Sequence, residues 1–308
     1  MALDKYKQDI VYANVRIIGE WDLPGHSGPV YALACDSKAK KLFSGGADGL
    51  VAAWSCISGK HAQAVAKTPN AIYALHWIAS LRHLYVGESS GTVYVLDLAA
   101  SQLRRAVKAH TSSVFGLYSH PTDPEGWSSG RDGRFLYWNT GESIPYADIL
   151  VSEAGLRTFI LTPDGEHFLC AGRDGILYEI HRKQQRIIRQ IPAHKDVIFQ
   201  VFFSPQGTLL ATGDKAGVLK LWTPNLELLW EHKAHEWGLN ALAWHRSGMI
   251  LATGGRDHFI HLWDIQKRRK ILSLSGHKRS VNALVWINEE SLASASDDGL
   301  IRIWHLEV

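Results

Sequence analysis

Residues Gly276 to Trp304, GHKRSVNALVWINEESLASASDDGLIRIW, decide how the chain is read, because the same skeleton recurs back to its beginning. A His is followed about twenty residues later by an Asp-Gly turn, and a Trp stands six residues after the Asp. The Asp phase falls at Asp48, Ser90, Asp132, Asp174, Ala216, Asp257 and Asp298, in steps of 41 or 42 residues. Seven units fill the chain, and a period of this size signals a repeat architecture in which each unit needs its neighbours to bury its apolar faces.

A chain of 308 residues would ordinarily suggest two domains, but the repeat implies one closed array. Residues 1–13 are polar and expected to be flexible, with residues 14–308 forming a single unit. The 27 glycines and 10 prolines are spread through the chain as turn markers rather than gathered into a linker. Cys35, Cys56 and Cys170 lack paired spacing, which argues against a disulfide framework or a zinc site and makes a reducing cytoplasm the expected home. No segment approaches the eighteen or so apolar residues of a membrane span. A net charge of +3 is too small to indicate nucleic acid without a concentrated patch.

Within each unit, short segments of period-2 alternation are bounded by Gly, Asp and Ser: VYALA, LFSG and LVAAW in the first, with a fourth strand between each Trp and the next His. Four antiparallel strands per unit, repeated radially, give an all-β, seven-bladed β-propeller. The seventh unit reaches only its third strand by Trp304. The spare segment NVRIIGEW, Asn14–Trp21, is therefore expected to supply its outermost strand.

Gly25-His26, Gly276-His277, Trp263-Asp264 and the Asp-Gly turns at fixed phase resemble the WD-repeat (WD40) β-propeller family, with Ala-His at His110, His194 and His235. The resemblance covers roughly Asn14 to Val308 and implies a structural hydrogen-bond network in each blade. Its members here are His26/Ser44/Asp48/Trp54, His110/Ser128/Asp132/Trp138, His235/Thr253/Asp257/Trp263 and His277/Ser294/Asp298/Trp304. A Ser-His-Asp set invites a catalytic reading, but a catalytic constellation is needed once and a blade network every time. The second and fourth units lose the pattern, with Thr68/Ser90/Leu96 and Ser152/Ile180, and the fifth has Ala216 in place of Asp.

The resemblance also implies that partners are met on the top face, at the residue before each Asp phase and at the start of each innermost strand. There the sequence has basic Arg131, Arg173, Lys215 and Arg256 in four consecutive units, and Tyr31, Tyr73, Phe115, Arg157 and Phe199 at the strand starts. Aromatic residues and Arg are the types enriched at interface hot spots. The expected function is a non-catalytic scaffold presenting this face to an acidic or phosphorylated peptide, as a monomer within a larger complex and without cofactor, metal or membrane. The alternatives are nucleic-acid binding through basic loops, for which Lys38/Lys40/Lys41, Lys267–Lys270 and Arg182/Lys183/Arg186/Arg189 are the clusters, and an enzyme with its site in the central channel. His258 and His261, three apart on an extended segment, are expected to face opposite ways and not to share a metal.

Overall fold

The computed structural model describes residues 15–36, 38, 40–56, 62–120 and 122–307; the segment 1–13 lies outside them. The described residues form seven four-stranded antiparallel sheets and no helix. Blade one is the meander Val30–Asp36, Lys41–Gly46, Leu50–Ser55 and Gln63–Lys67, and five more blades repeat it. The first strands, Val30–Asp36, Ile72–Ile78, Val114–Ser119, Leu156–Leu161, Ile198–Phe203, Leu239–Trp244 and Val281–Trp286, lie side by side in order. The last of them touches the first, so the ring is closed around a channel that these strands line.

Blades are held to one another by a small residue on each second strand and a branched aliphatic that opens the next blade. A Cβ on Gly45 would stand 2.6 Å from Ile72, on Gly87 2.8 Å from Val114, on Gly213 2.5 Å from Leu239 and on Gly254 2.7 Å from Val281. Only glycine permits this approach, and the four aliphatic residues are fully buried, each contributing about 1.5–3 kcal/mol. Second strands such as His83–Glu88 and Ser291–Ser296 are buried throughout because neighbouring blades cover both their faces, whereas a fourth strand such as Gln102–Lys108 is largely exposed.

The seventh sheet joins the two ends of the chain: Arg16–Leu23 pairs antiparallel with Ile301–Glu307, outside Ser291–Ser296 and Val281–Trp286. The closing strand is thus the expected one, shifted two residues towards the C-terminus, because Leu23 opposite Ile301 is buried in the cluster shared by blades seven and one. Arg302 pins it through Asp22 (2.6 Å) and Glu20 (3.6 Å). Cys35 and Cys56, both free thiols, pack against the same cluster despite their separation in sequence.

Candidate functional site: the mouth of the channel

The blade networks take the expected form where the four residues are present. In blade one His26 Nδ1 meets Asp48 at 3.1 Å, His26 Nε2 meets Ser44 Oγ at 2.7 Å, and the Trp54 indole donates to Ser44 Oγ at 2.8 Å. His110, His235 and His277 repeat these contacts with Asp132, Asp257 and Asp298, with Ser128, Thr253 and Ser294, and through them with Trp138, Trp263 and Trp304. Burial by itself would raise the Asp257 carboxyl. Hydrogen bonds from His235 and from the Glu236 and Phe259 amides overcome it and hold the group down at about 2. Every such His and Asp is committed within its own blade, as a structural role requires.

Blades lacking the motif solve the same problem with other residues. Ala216 does not leave blade five without an acceptor: Asp214, two residues earlier, accepts from His194 Nδ1 at 3.0 Å and from the Val218 amide at 2.7 Å. His194 Nε2 and the Trp222 indole share Thr212 Oγ1 as usual. Glu88 stands at the corresponding position of blade two, 1% exposed, accepting from the Asn70 amide (2.8 Å) and Ser90 Oγ (2.5 Å). In blade four the hydroxyls of Ser152 (2.5 Å) and Tyr178 (2.7 Å) donate to Asp174, so two small donors replace one imidazole. Sequence phase alone missed Asp214, Glu88 and Tyr178 as network members.

The partner-facing residues are aimed by a repeated backbone irregularity. Each of the seven first strands has a register shift spanning its second residue: Tyr31, Tyr73, Phe115, Arg157, Phe199, Asn240 and Asn282. A bulge of this kind re-aims the side chain it carries, and all seven side chains line one cavity of about 560 Å³ at the channel mouth. They touch in series. Tyr31 and Tyr73 have ring centroids 5.0 Å apart and Tyr73 and Phe115 5.4 Å. The Arg157 guanidinium lies 4.1 Å from the Phe115 centroid and 5.0 Å from that of Phe199. Asn282 Nδ2 donates to Val30 O at 3.0 Å, which joins blade seven to blade one.

Arg131 and Arg256 line the same cavity, with Asp297 as its one carboxylate among the described lining residues. Arg256 packs over Phe199 at 5.2 Å. Arg157 makes no ion pair or hydrogen bond to any described residue and lies against the rings of Phe115 and Phe199. Burial lowers its pKa to about 10, and the charges of Arg256, Arg173 and Arg131 reinforce the shift. Arg173 is therefore close enough to feel Arg157 although it does not line the cavity. Lys215 is not part of this group; it reaches away to Asp196 at 3.7 Å. Of the expected arc of four, Arg131 and Arg256 line the mouth with Arg157, Arg173 lies beside it, and Lys215 is already paired.

Two other groups are accounted for. Arg182 is bound to Asp123 and Glu125, both at 2.9 Å, and lies over Trp127, so it ties blade four to blade three. His235, Asp257 and His261 bring ligand atoms within 4.8 Å of one another. However, the two imidazoles stack 4.6 Å apart with planes only 11° from parallel. Because a ring-nitrogen lone pair lies in its ring plane, no single point is in line with both. His235 also has both nitrogens engaged, so these residues do not suit a metal ion.

The molecule is therefore a closed seven-bladed propeller with a cationic, aromatic channel mouth. A family model described as WD domain, G-beta repeat matches residues 19–55, 185–223, 226–264 and 268–305. Similar proteins include a 66 kDa stress protein from Physarum polycephalum, 21% identical over 92% of this chain and 47% of its own length. Transducin beta-like protein 3 from Mus musculus is 22% identical over 91% of this chain and 43% of its own, and striatin from Homo sapiens 21% identical over 91% and 34%. The chain spans at most about half the length of these curated relatives. It belongs to the WD-repeat β-propeller family, whose members generally act as protein-interaction scaffolds.

Proposed function

We propose that the protein is a non-catalytic scaffold whose channel mouth binds an acidic or phosphorylated peptide segment of a partner, the protein acting as a monomer within a larger complex. The observation that carries this reading is Arg157. A half-buried guanidinium between two aromatic rings, with no carboxylate on it and three further arginines raising the local potential, is a cost to the free protein that an anion would offset. Its unspent N–H donors suit the bidentate recognition of carboxylate or phosphate. The rings of Phe115 and Phe199 keep its plane fixed, so little rotamer entropy is lost on binding.

The test is capture of immobilised phosphoserine-rich, glutamate-rich and neutral peptides by the full chain and by two variants. Arg131→Glu with Arg256→Glu changes exposed residues, so the thermal melt should stay within about 1 °C while anionic capture is lost. Arg157→Leu retains the packing between the rings but removes an unpaired cation; it should abolish capture while raising stability by about 1 kcal/mol. Anionic capture by both variants at wild-type level overturns the proposal. If binding instead extends to non-specific DNA or RNA and falls steeply with salt, the nucleic-acid reading takes its place.

A further inference from the structure

Blade six departs from its neighbours on the top face. At the position after the Asp phase six blades place a glycine with positive φ: Gly49, Gly91, Gly133, Gly175, Gly217 and Gly299. Blade six has His258 there, at φ +72°, a conformation that costs a residue with a Cβ about 1–2 kcal/mol. Strain of this kind persists where something other than stability retains it. Near it are two exposed large apolar side chains, Trp237 at 55% and Phe259 at 41%. The Trp237 ring centroid lies 6.5 Å from that of His258, and Phe259 stacks on His261 at 5.8 Å. Trp237, His258 and Phe259 thus put three aromatic rings on one rim; no other blade has an aromatic residue at any of these positions, although Leu50, Ile176, Val218 and Leu300 are apolar at the Phe259 position.

This rim is continuous with the channel mouth through a single residue. The Arg256 amide donates to the carbonyl of Gly238 (2.8 Å), next to Trp237. A Cβ on Gly238 would lie 3.0 Å from Arg256 Cδ, so the arginine stem is laid against that backbone. Its guanidinium, meanwhile, sits over Phe199 inside the mouth, donates from Nε to Asn240 Oδ1 (3.3 Å) and forms no ion pair with a carboxylate among the described residues. Cationic and apolar surfaces therefore meet at Arg256 with no barrier between them.

We infer that the rim formed by Trp237, His258 and Phe259 is a second subsite for the same peptide, taking a bulky apolar side chain while an acidic or phosphorylated residue occupies the arginines of the mouth. The inference rests on the proposed function and specifies its ligand. From Arg157 the path runs 5.0 Å to Phe199 and a further 5.2 Å to Arg256 before reaching the rim. The two guanidinium groups are thus at most about 10 Å apart, which an extended chain at about 3.3–3.6 Å per residue spans in roughly three residues, so the apolar residue stands a few positions from the anionic one. A ligand with both features gains from the desolvated aromatic surface what a purely acidic segment lacks, and the strained histidine is retained because its ring completes the platform.

The probe is a peptide array with one fixed phosphoserine and a single Leu or Trp moved through each position on either side, in an otherwise Gly-Ser background. The full chain is compared with Trp237→Ala plus Phe259→Ala and with Arg131→Glu plus Arg256→Glu. The wild type should favour an apolar residue at one spacing, a few positions from the phosphoserine, by tenfold or so, the scale of an interface hot spot. The rim variant, altered only at exposed side chains and with an unchanged melt, should bind all phosphopeptides equally, at the weaker level. A rim variant that keeps the same positional preference, or a wild type with phosphoserine binding and no preference, overturns the rim while leaving the mouth. A wild type without phosphoserine dependence overturns both.

Discussion

Replacing Asp214 by Ala removes the acceptor of His194 Nδ1 (3.0 Å) and of the Val218 amide (2.7 Å) while leaving the His194 side chain fully buried. Taking one partner from a buried, charge-assisted pair costs about 3–5 kcal/mol, because the group left behind stays desolvated without compensation. With an unfolding entropy of about 2.1 cal/mol/K per residue, cooperative unfolding of 308 residues turns this into a fall of about 5–8 °C in melting temperature. Ala216→Asp, which the repeat pattern alone recommends as stabilising, instead sets a second carboxylate beside an acceptor already in place and should bring no gain. Combining Asp214→Gly with Ala216→Asp recreates the arrangement of Gly46, Ala47, Asp48 and Gly49 in blade one. It should recover stability to within about 1 kcal/mol of wild type, a non-additivity expected of residues sharing one partner. Thermal melts of the four proteins measure this directly. Should Asp214→Ala melt within a degree of wild type, or the double variant be no better than the worse single one, the two positions are not interchangeable sources of one acceptor and the reasoning fails.

Deleting residues 1–22 exposes the edge of Ile301–Glu307 and removes the strand that caps the seventh sheet, so the melt should lose cooperativity or move substantially lower; an unchanged melt contradicts ring closure by that strand. His258→Gly relieves the positive φ and should raise stability by about 1 kcal/mol while weakening phosphopeptide binding, read by melt and array together. Stability should also fall with acid before the carboxylates protonate. His76 accepts the Ser119 amide through Nε2 (3.1 Å), and burial lowers its pKa to about 4. Burial, helped by His235 and Lys270, does the same to His261. Both folded pKa values lie below the ordinary 6.5, so the unfolded chain binds the extra protons, and stability is lost as pH falls from about 6.5 to about 4. The loss is at most about 3 kcal/mol for each group. Urea unfolding across that window checks the slope, and His261→Phe should remove about half of it; a slope unaltered in that variant assigns the acid loss elsewhere.

The seven-fold period was readable because most blades use the same residues for the same demand: an Asp bonded to a His, and a hydroxyl between that His and an indole. Where blades two and four lose these types, other side chains keep the buried polar atoms paired. The same repetition located Tyr31, Tyr73, Phe115, Arg157 and Phe199, since equivalent positions on adjacent blades must stand side by side around one opening. Phase was a poor guide wherever a different side chain could deliver the same atom. Asp214 and Glu88 approach from two residues earlier, and Tyr178 reaches in from another strand, because an acceptor is defined by where its oxygen arrives and not by its place in the period.

Sequence by itself determined the repeat, the number of blades and the closing strand, which follow from local pattern and covalent order; the family resemblance added the first-strand residues that line the mouth, but it also grouped with them Arg173 and Lys215, which do not line it. Tertiary structure alone decided which of the basic residues are free. Lys215 is drawn off by Asp196 and Arg182 by Asp123 and Glu125, while Arg157 is left between two rings without a counter-ion. The same is true of the rim, where Trp237 and Phe259, far apart in the chain, share one exposed surface around His258. Lys215 with Asp196 and the rim form between loops of one folded blade, whereas Arg182 and Arg157 meet residues of other blades, which only the packing of the ring brings within a few ångströms.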